Sequence, residues 1–435
     1  MVAAGTYDEA VEITVQLTLV GQTGAVIQPD NTCPLYDGGI RRPAIYVTAD
    51  GVTIQGFVID GTHGTVNYGI YGFNTNGLTV ENNTIHDMSN DVDDVAGVGI
   101  LVFGWDATVN DNVISNNVVY NTARMGIFVG GMRSSDYYWL ISSGNTISGN
   151  DVYNTWQGPT SDYGGAVQMN GAKNSAITNN NIHDTTAGTS YYGVYVYGSS
   201  TGNTILSNSV HDNTQGIVLW INPTDVAFGS DVPGAPAVHQ NSIYHNSNYG
   251  VWNVASPSPP LVVDATNNWW GDATGPHHAT SWLYMGHPYG PHLGLGDSVT
   301  DYVLYDPWLV PLTVVSAYDS PNPAVGTEMY TYGTTITASV TSPVRIDGFE
   351  VCTGWTGTGS VPASGTGTSV TFTITQTSTI TWNWYSSVGG QWAPITMQAL
   401  APTGTLTLLA PWIALGLVAA ASAIATSRRL LKKHW

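Results

Sequence analysis

Short apolar segments alternate with asparagine- and glycine-rich corners over most of the chain. The anchors Ile85, Val119, Val152, Ile182, Val210, Ile243 and Trp269 each follow an asparagine by two positions: Asn83, Asn117, Asn150, Asn180, Asn208, Asn241 and Asn267. Five positions before the first six anchors stand Val80, Ile114, Ile147, Ile177, Ile205 and Val238. A second column interleaves: Gly69-Ile70, Gly99-Ile100, Gly126-Ile127, Gly165-Ala166, Gly193-Val194, Gly216-Ile217 and Gly250-Val251. Each cycle holds at least three short segments and takes roughly 30 residues, a repeat length typical of stacked solenoids.

A strand points alternate side chains inward and outward, so a coil of such strands fills its interior with Ile and Val. Asparagine tolerates the left-handed backbone that sharp corners need. Stacked ~4.8 Å apart, its side chains also form a hydrogen-bonded ladder. The segments are too short and too rich in Gly, Asn and Val for helical repeats. Parallel crossovers are right-handed. The expected fold is therefore all-β: a right-handed parallel β-helix over residues 1–309.

Beyond Asp306-Pro307-Trp308 the repeat stops. A small β domain is expected over 313–386, with strands at Thr334 to Val340, Ser369 to Thr375 and Thr379 to Trp384. A linker over 387–405 leads to an uncharged stretch, 406–425, about long enough to cross ~30 Å of hydrocarbon as a helix. Arg428, Arg429, Lys432 and Lys433 follow in the tail 426–435, which places the C-terminus in the cytoplasm and the β-helix outside. An outward-facing domain needs an export signal and Met1 to Tyr7 holds none, so an upstream segment is expected. A tail-anchored protein facing the cytoplasm is the alternative.

The net charge is -20, although four of the ten basic residues sit in that tail. So acidic a chain lacks the clustered Lys and Arg that grip phosphate backbones, which excludes nucleic acid as a partner. Cys33 and Cys352 lie in different modules, and nothing in their spacing pairs them.

Gly51-Val52-Thr53-Ile54-Gln55-Gly56-Phe57, with the repeated Asn-x-Ile and Gly-Ile-x-Val units, resembles the pectin-lyase-like right-handed β-helix superfamily, closest to its NosD-like repeats. Asn267-Asn268-Trp269-Trp270-Gly271-Asp272 resembles the segment that closes such domains. Tyr332-Gly333 and Gly354-Trp355-Thr356-Gly357 resemble a divergent internalin-type B-repeat, which implies a spacer. The superfamily hosts lyases, hydrolases, adhesins and scaffolds, so it implies fold rather than activity.

Three candidate sites follow. The first is an outward aromatic stripe. The position after each Gly-Ile unit holds Tyr71, Leu101, Phe128, Val167, Tyr195, Val218 and Trp252, and Tyr197 and Trp220 lie two positions further on. Of these, Tyr71, Phe128, Tyr195, Trp220 and Trp252 are the expected ligand-binding residues. Flat rings along one face suit stacking on sugars, and the opposing reading is a second core under covering loops. The partner expected is a polysaccharide or other cell-envelope component. The second is His183-Asp184 beside His211-Asp212, where adjacent carboxylates about 5 Å apart suit retaining glycoside hydrolysis. Equivalent positions hold Tyr120-Asn121 and Tyr153-Asn154, which favours a stacked structural column instead. The third is the loop Asn90 to Asp94, where Asp91, Asp93 and Asp94 offer oxygens to Ca2+; a solvated acidic loop is the plainer reading. No cofactor is required. A pectate-type lyase needs basic residues at its carboxylates, and Arg41, Arg42, Arg124, Arg133 and Lys173 fit no such motif. The functional expectations are a membrane-anchored glycan-binding surface protein, a glycoside hydrolase, or a passive envelope component.

Overall fold

The computed structural model describes residues 1–30, 41–63, 66–89, 97–156, 164–185, 191–221, 226–227, 231–255, 261–284, 287–345 and 349–387. Cys33, the loop residues Asp91, Asp93 and Asp94, and the expected linker beyond 387, span 406–425 and tail 426–435 lie outside them. Among the described residues no helix is long and apolar enough to cross a membrane.

Three parallel sheets wrap one core. Every turn of chain gives one strand to each sheet, so neighbours within a sheet are about 30 residues apart. One face runs from Gly5–Tyr7 to Ser242–Tyr244 and a second from Thr18–Val20 to Ala237–His239; their strands are mostly three residues long. The third face, Val11–Ile13 to Tyr249–Ala255, carries much longer strands, including Val98–Trp105, Gly164–Lys173 and Tyr191–Ser199.

Register explains the repeat. Ile59, Ile85, Val119, Val152, Ile182, Val210 and Ile243 stack as one inward column. A second contains Val80, Ile114, Ile147, Ile177, Ile205 and Val238. The third contains Ile70, Ile100, Ile127, Val167, Val194, Ile217 and Val251. All are essentially inaccessible to water. Burying a side chain of this size fully is worth about 1.5–3 kcal/mol, so these columns supply the main drive to fold.

The asparagine ladder is present. Asn83, Asn117, Asn150, Asn180, Asn208 and Asn241 each donate Nδ2–H to the next side-chain oxygen at 2.9–3.1 Å. Two details differ from expectation. The last acceptor is Asn268, not Asn267, and the buried anchor above it is Trp270 rather than Trp269. The ladder residues themselves are not the left-handed ones. Positive φ falls one position earlier, on Asn82, Asn116, Asn179 and Asn267, where the chain turns into the ladder. A second left-handed corner comprises Asp87, Asn121, Asn154, Asp184, Asp212 and His245.

The glycine column has a steric cause. A Cβ at Gly99 would come within 2.4 Å of Val119 Cγ1, and one at Gly126 within 2.4 Å of Val152 Cγ1. Here the sequence alignment slips by one. Ile127 pairs with Val167, so Ala166 takes the glycine position, Val167 points inward, and Gln168 occupies the outward place expected for Val167.

The strand Leu309–Ser316 leads out of the β-helix into the small β domain. There it pairs with Gly326–Thr331 and Ser378–Ser387. Thr335–Ser339 pairs with Ser369–Thr373, matching the expected strands within two residues. Cys352 is a buried free thiol.

Candidate functional site

The long strands of the third face set the site. Their outward side chains form two columns two residues apart. One reads Tyr46, Tyr71, Leu101, Phe128, Gln168, Tyr195, Val218 and Trp252. The other reads Phe73, Phe103, Gly130, then Asn170, Tyr197 and Trp220. Chain leaving Met132 returns as Trp139–Leu140, antiparallel to the strand it left, and lays Trp139 over Phe103 and Phe128 at ring distances of 6.5 and 5.7 Å.

Covering of this kind changes the aromatic stripe. Tyr71, Phe128 and Tyr195 are buried, at 0%, 4% and 1% exposure, while Trp220 and Trp252 are half-buried. Most of the stripe is therefore a second apolar layer. It divides into one cluster around Tyr46, Tyr68, Tyr71, Phe103 and Phe128 and another around Tyr192, Tyr195 and Tyr197.

Between the two clusters lies a groove of about 400 Å³. Phe103, Phe128, Trp139 and Tyr197 bring rings to it, and Gln168 and Asn170 bring primary amides. Trp105 and Tyr137, both exposed, are further lining residues and pack edge to face at 6.2 Å. Gln168 Oε1 accepts the Gly165 N–H at 3.2 Å, and Gln168 Nε2 donates to Asn170 Oδ1 at 3.1 Å, so the amides hold each other in place. Arg41 and Arg124 also line the groove. The Arg41 guanidinium lies 5.1–5.7 Å from the centres of Tyr68, Tyr71 and Phe103 and donates to Tyr71 Oη at 2.5 Å. Aspartate and glutamate are absent from the described lining. Of the five expected stripe residues, Phe128 and Tyr195 reach this groove; Tyr71, Trp220 and Trp252 do not line it. Sequence reasoning missed Gln168 and Asn170 through the one-residue slip, and Trp139 because its segment follows no repeat.

The second candidate is a column on a different face. His86, Tyr120, Tyr153, His183, His211 and Tyr244 stack at 4.7–5.1 Å with planes within 14°. His183 and His211 each bond through Nδ1 to the following Asp184 or Asp212 at 2.7 Å. Asp151 lies 3.2 Å from His183 Nε2, and Asn181 Oδ1 lies 3.1 Å from His211 Nε2. Both carboxylates are about half exposed and stand at the left-handed corner, where Asn121 and Asn154 do the same turning. The groove does not include them.

Of the histidines near the closing segment, His278 is buried against Asp301 at 3.0 Å, and His292 Nε2 lies 2.7 Å from the Thr274 carbonyl. Among the described residues, ligand atoms converge at Asp60, His86 and Asp87, all within 4.8 Å. Burial works to raise the Asp60 pKa, but the Thr62 hydroxyl and N–H, with His86 and Gln28, outweigh it and leave the carboxyl below its ordinary value.

Residues 131–268 match the family described as the right-handed β-helix region. The chain carries a right-handed β-helix. Solved structures with a similar fold include the Dettilon tailspike protein, at 13% identity over 78% of this chain and 71% of that one (TM-score 0.41). An alginate lyase from Paenibacillus sp. str. FPU-7 aligns at 18% identity over 68% and 91% (TM-score 0.33). The A-module of an Azotobacter vinelandii mannuronan C-5 epimerase aligns at 16% over 70% and 90% (TM-score 0.34). These likenesses concern the shape of the β-helix alone. No curated protein matches the chain.

Proposed function

We propose that this β-helix binds a polysaccharide in the groove between Phe128, Trp139, Gln168 and Tyr197, and presents that groove at a cell surface. The observation that carries the reading is that aromatic side chains and primary amides line one concavity. A sugar ring offers C–H faces, which pack on aromatics, and hydroxyls, which exchange hydrogen bonds with amides. The described lining has no acid pair to cleave a glycosidic bond, so binding without turnover is favoured over hydrolysis. In this reading the stretch 406–425 anchors the chain in the membrane and the small β domain is a spacer.

The test is a glycan-array screen of the full chain, followed by affinities for the best ligand. Trp139→Ala and Trp105→Ala are each expected to weaken binding about three- to tenfold, the worth of one stacking contact; Trp105 is an exposed lining residue. Tyr195→Ala is a poor probe, because Tyr195 is buried and its loss disturbs the layer beneath. Undiminished binding in both variants, with an unchanged melting temperature, places the ligand elsewhere.

A further inference from the structure

A second cavity, of about 540 Å³, lies where the closing segment of the β-helix meets the small β domain. Its size falls within the ~300–1,000 Å³ of small-ligand sites. Tyr289, His292, Tyr305, Asp306, Trp308 and Tyr332 line it. Four of these rings are mutually fixed. His292 lies 5.6 Å from Tyr305 and 5.1 Å from Trp308, and Trp308 lies 4.7 Å from Tyr332 at 38°. Tyr289 meets Tyr305 edge to face at 6.2 Å. Trp308 Nε1 donates to the Ala273 carbonyl at 2.9 Å and His292 Nε2 binds the Thr274 carbonyl at 2.7 Å, so both rings are held by their edges.

Asp306 is the acidic group of the cavity's described lining and is exposed, and no arginine or lysine is among the described lining residues. Burial first, then Tyr289 and Asp306, push the Tyr305 hydroxyl up to about 12, as expected where negative charge is disfavoured. Aromatic faces attract cations through the ring quadrupole, and several rings with one carboxylate favour a large, weakly hydrated cation that no single hydrogen bond would hold.

We propose that this cavity binds a quaternary ammonium group, caged by Tyr289, Tyr305, Trp308 and Tyr332 and neutralised by Asp306. This site is separate from the sugar groove, and neither proposal depends on the other. The probe is choline, titrated calorimetrically into the full chain, with 3,3-dimethylbutan-1-ol as its uncharged isostere. Choline is expected to bind saturably and at least about tenfold more tightly than the alcohol, and Tyr332→Ala and Asp306→Asn are each expected to weaken it about threefold or more. Both side chains are exposed, so the melting temperature should hold. Equal binding of choline and the alcohol would show a merely apolar hollow. Absence of saturation by choline, or wild-type affinity in both variants, would also overturn the proposal.

Discussion

Asn180→Ala breaks the ladder at its centre. The Asn180 side chain accepts the Asn150 backbone N–H and Nδ2–H, both at 2.9 Å, and donates to the Ile147 carbonyl and Asn208 Oδ1, again at 2.9 Å. Two neighbours keep alternatives after truncation. Asn150 Nδ2 still reaches the Ile114 carbonyl, and Asn208 Oδ1 still accepts the residue 180 N–H. The Asn150 N–H and the Ile147 carbonyl lose a partner each. A buried unsatisfied group costs about 1–3 kcal/mol, so with two such groups the variant should lose about 2–6 kcal/mol. Urea unfolding followed by circular dichroism measures the loss, and hydrogen exchange at the Asn150 amide locates it. Asn179→Gly is the matched control: the same corner, exposed, with φ at 56°, where glycine relieves rather than adds strain. An Asn180→Ala variant within 0.5 kcal/mol of the parent, or a control that costs more, would refute the ladder as the source of register.

Three further outcomes follow. Gly99→Ala should destabilise by about 1–3 kcal/mol in thermal melts, because its Cβ meets Val119 Cγ1 at 2.4 Å. Asp297 accepts Asn246 N–H at 3.0 Å and Nδ2–H at 2.7 Å, yet burial pushes its pKa from 3.8 to about 6. Its folded pKa lies above the unfolded one, so stability should fall as pH rises from about 4 to 6; Asp297→Asn should flatten that slope and stabilise the chain at pH 7 by on the order of 2 kcal/mol, read from urea titrations across this range. Asp212→Asn should leave glycan affinity unchanged, since Asn121 and Asn154 turn the same corner and Asp212 does not line the groove; loss of sugar release in that variant would instead support a hydrolase.

The core was legible because stacking forces one residue type to recur at matching positions. Ile114, Ile147 and Ile177 stand in register as their spacing required. Errors arose where a doublet made the alignment ambiguous. Asn267-Asn268 hid which residue joins the ladder, and Gly164-Gly165-Ala166 hid that Ala166 takes a glycine place. One position of slip exchanges inside for outside, so Gln168 was lost as a site residue and Val167 was wrongly turned outward. The burial of Tyr71, Phe128 and Tyr195 was not legible, because it depends on non-repeating chain folded back over the face, as Trp139–Leu140 shows. Likewise, the aromatic cavity at the domain junction joins Tyr289 to Tyr332 across two modules that share no repeat.

Oxidative footprinting of the full chain, with and without the polysaccharide selected on the array, tests the central proposal most directly. Protection is expected at Trp105, Met132, Tyr137 and Trp139, which line the groove, with Tyr120 and His211 unchanged on their own face. Protection of the ring column instead, with the groove residues oxidised as before, would contradict the account.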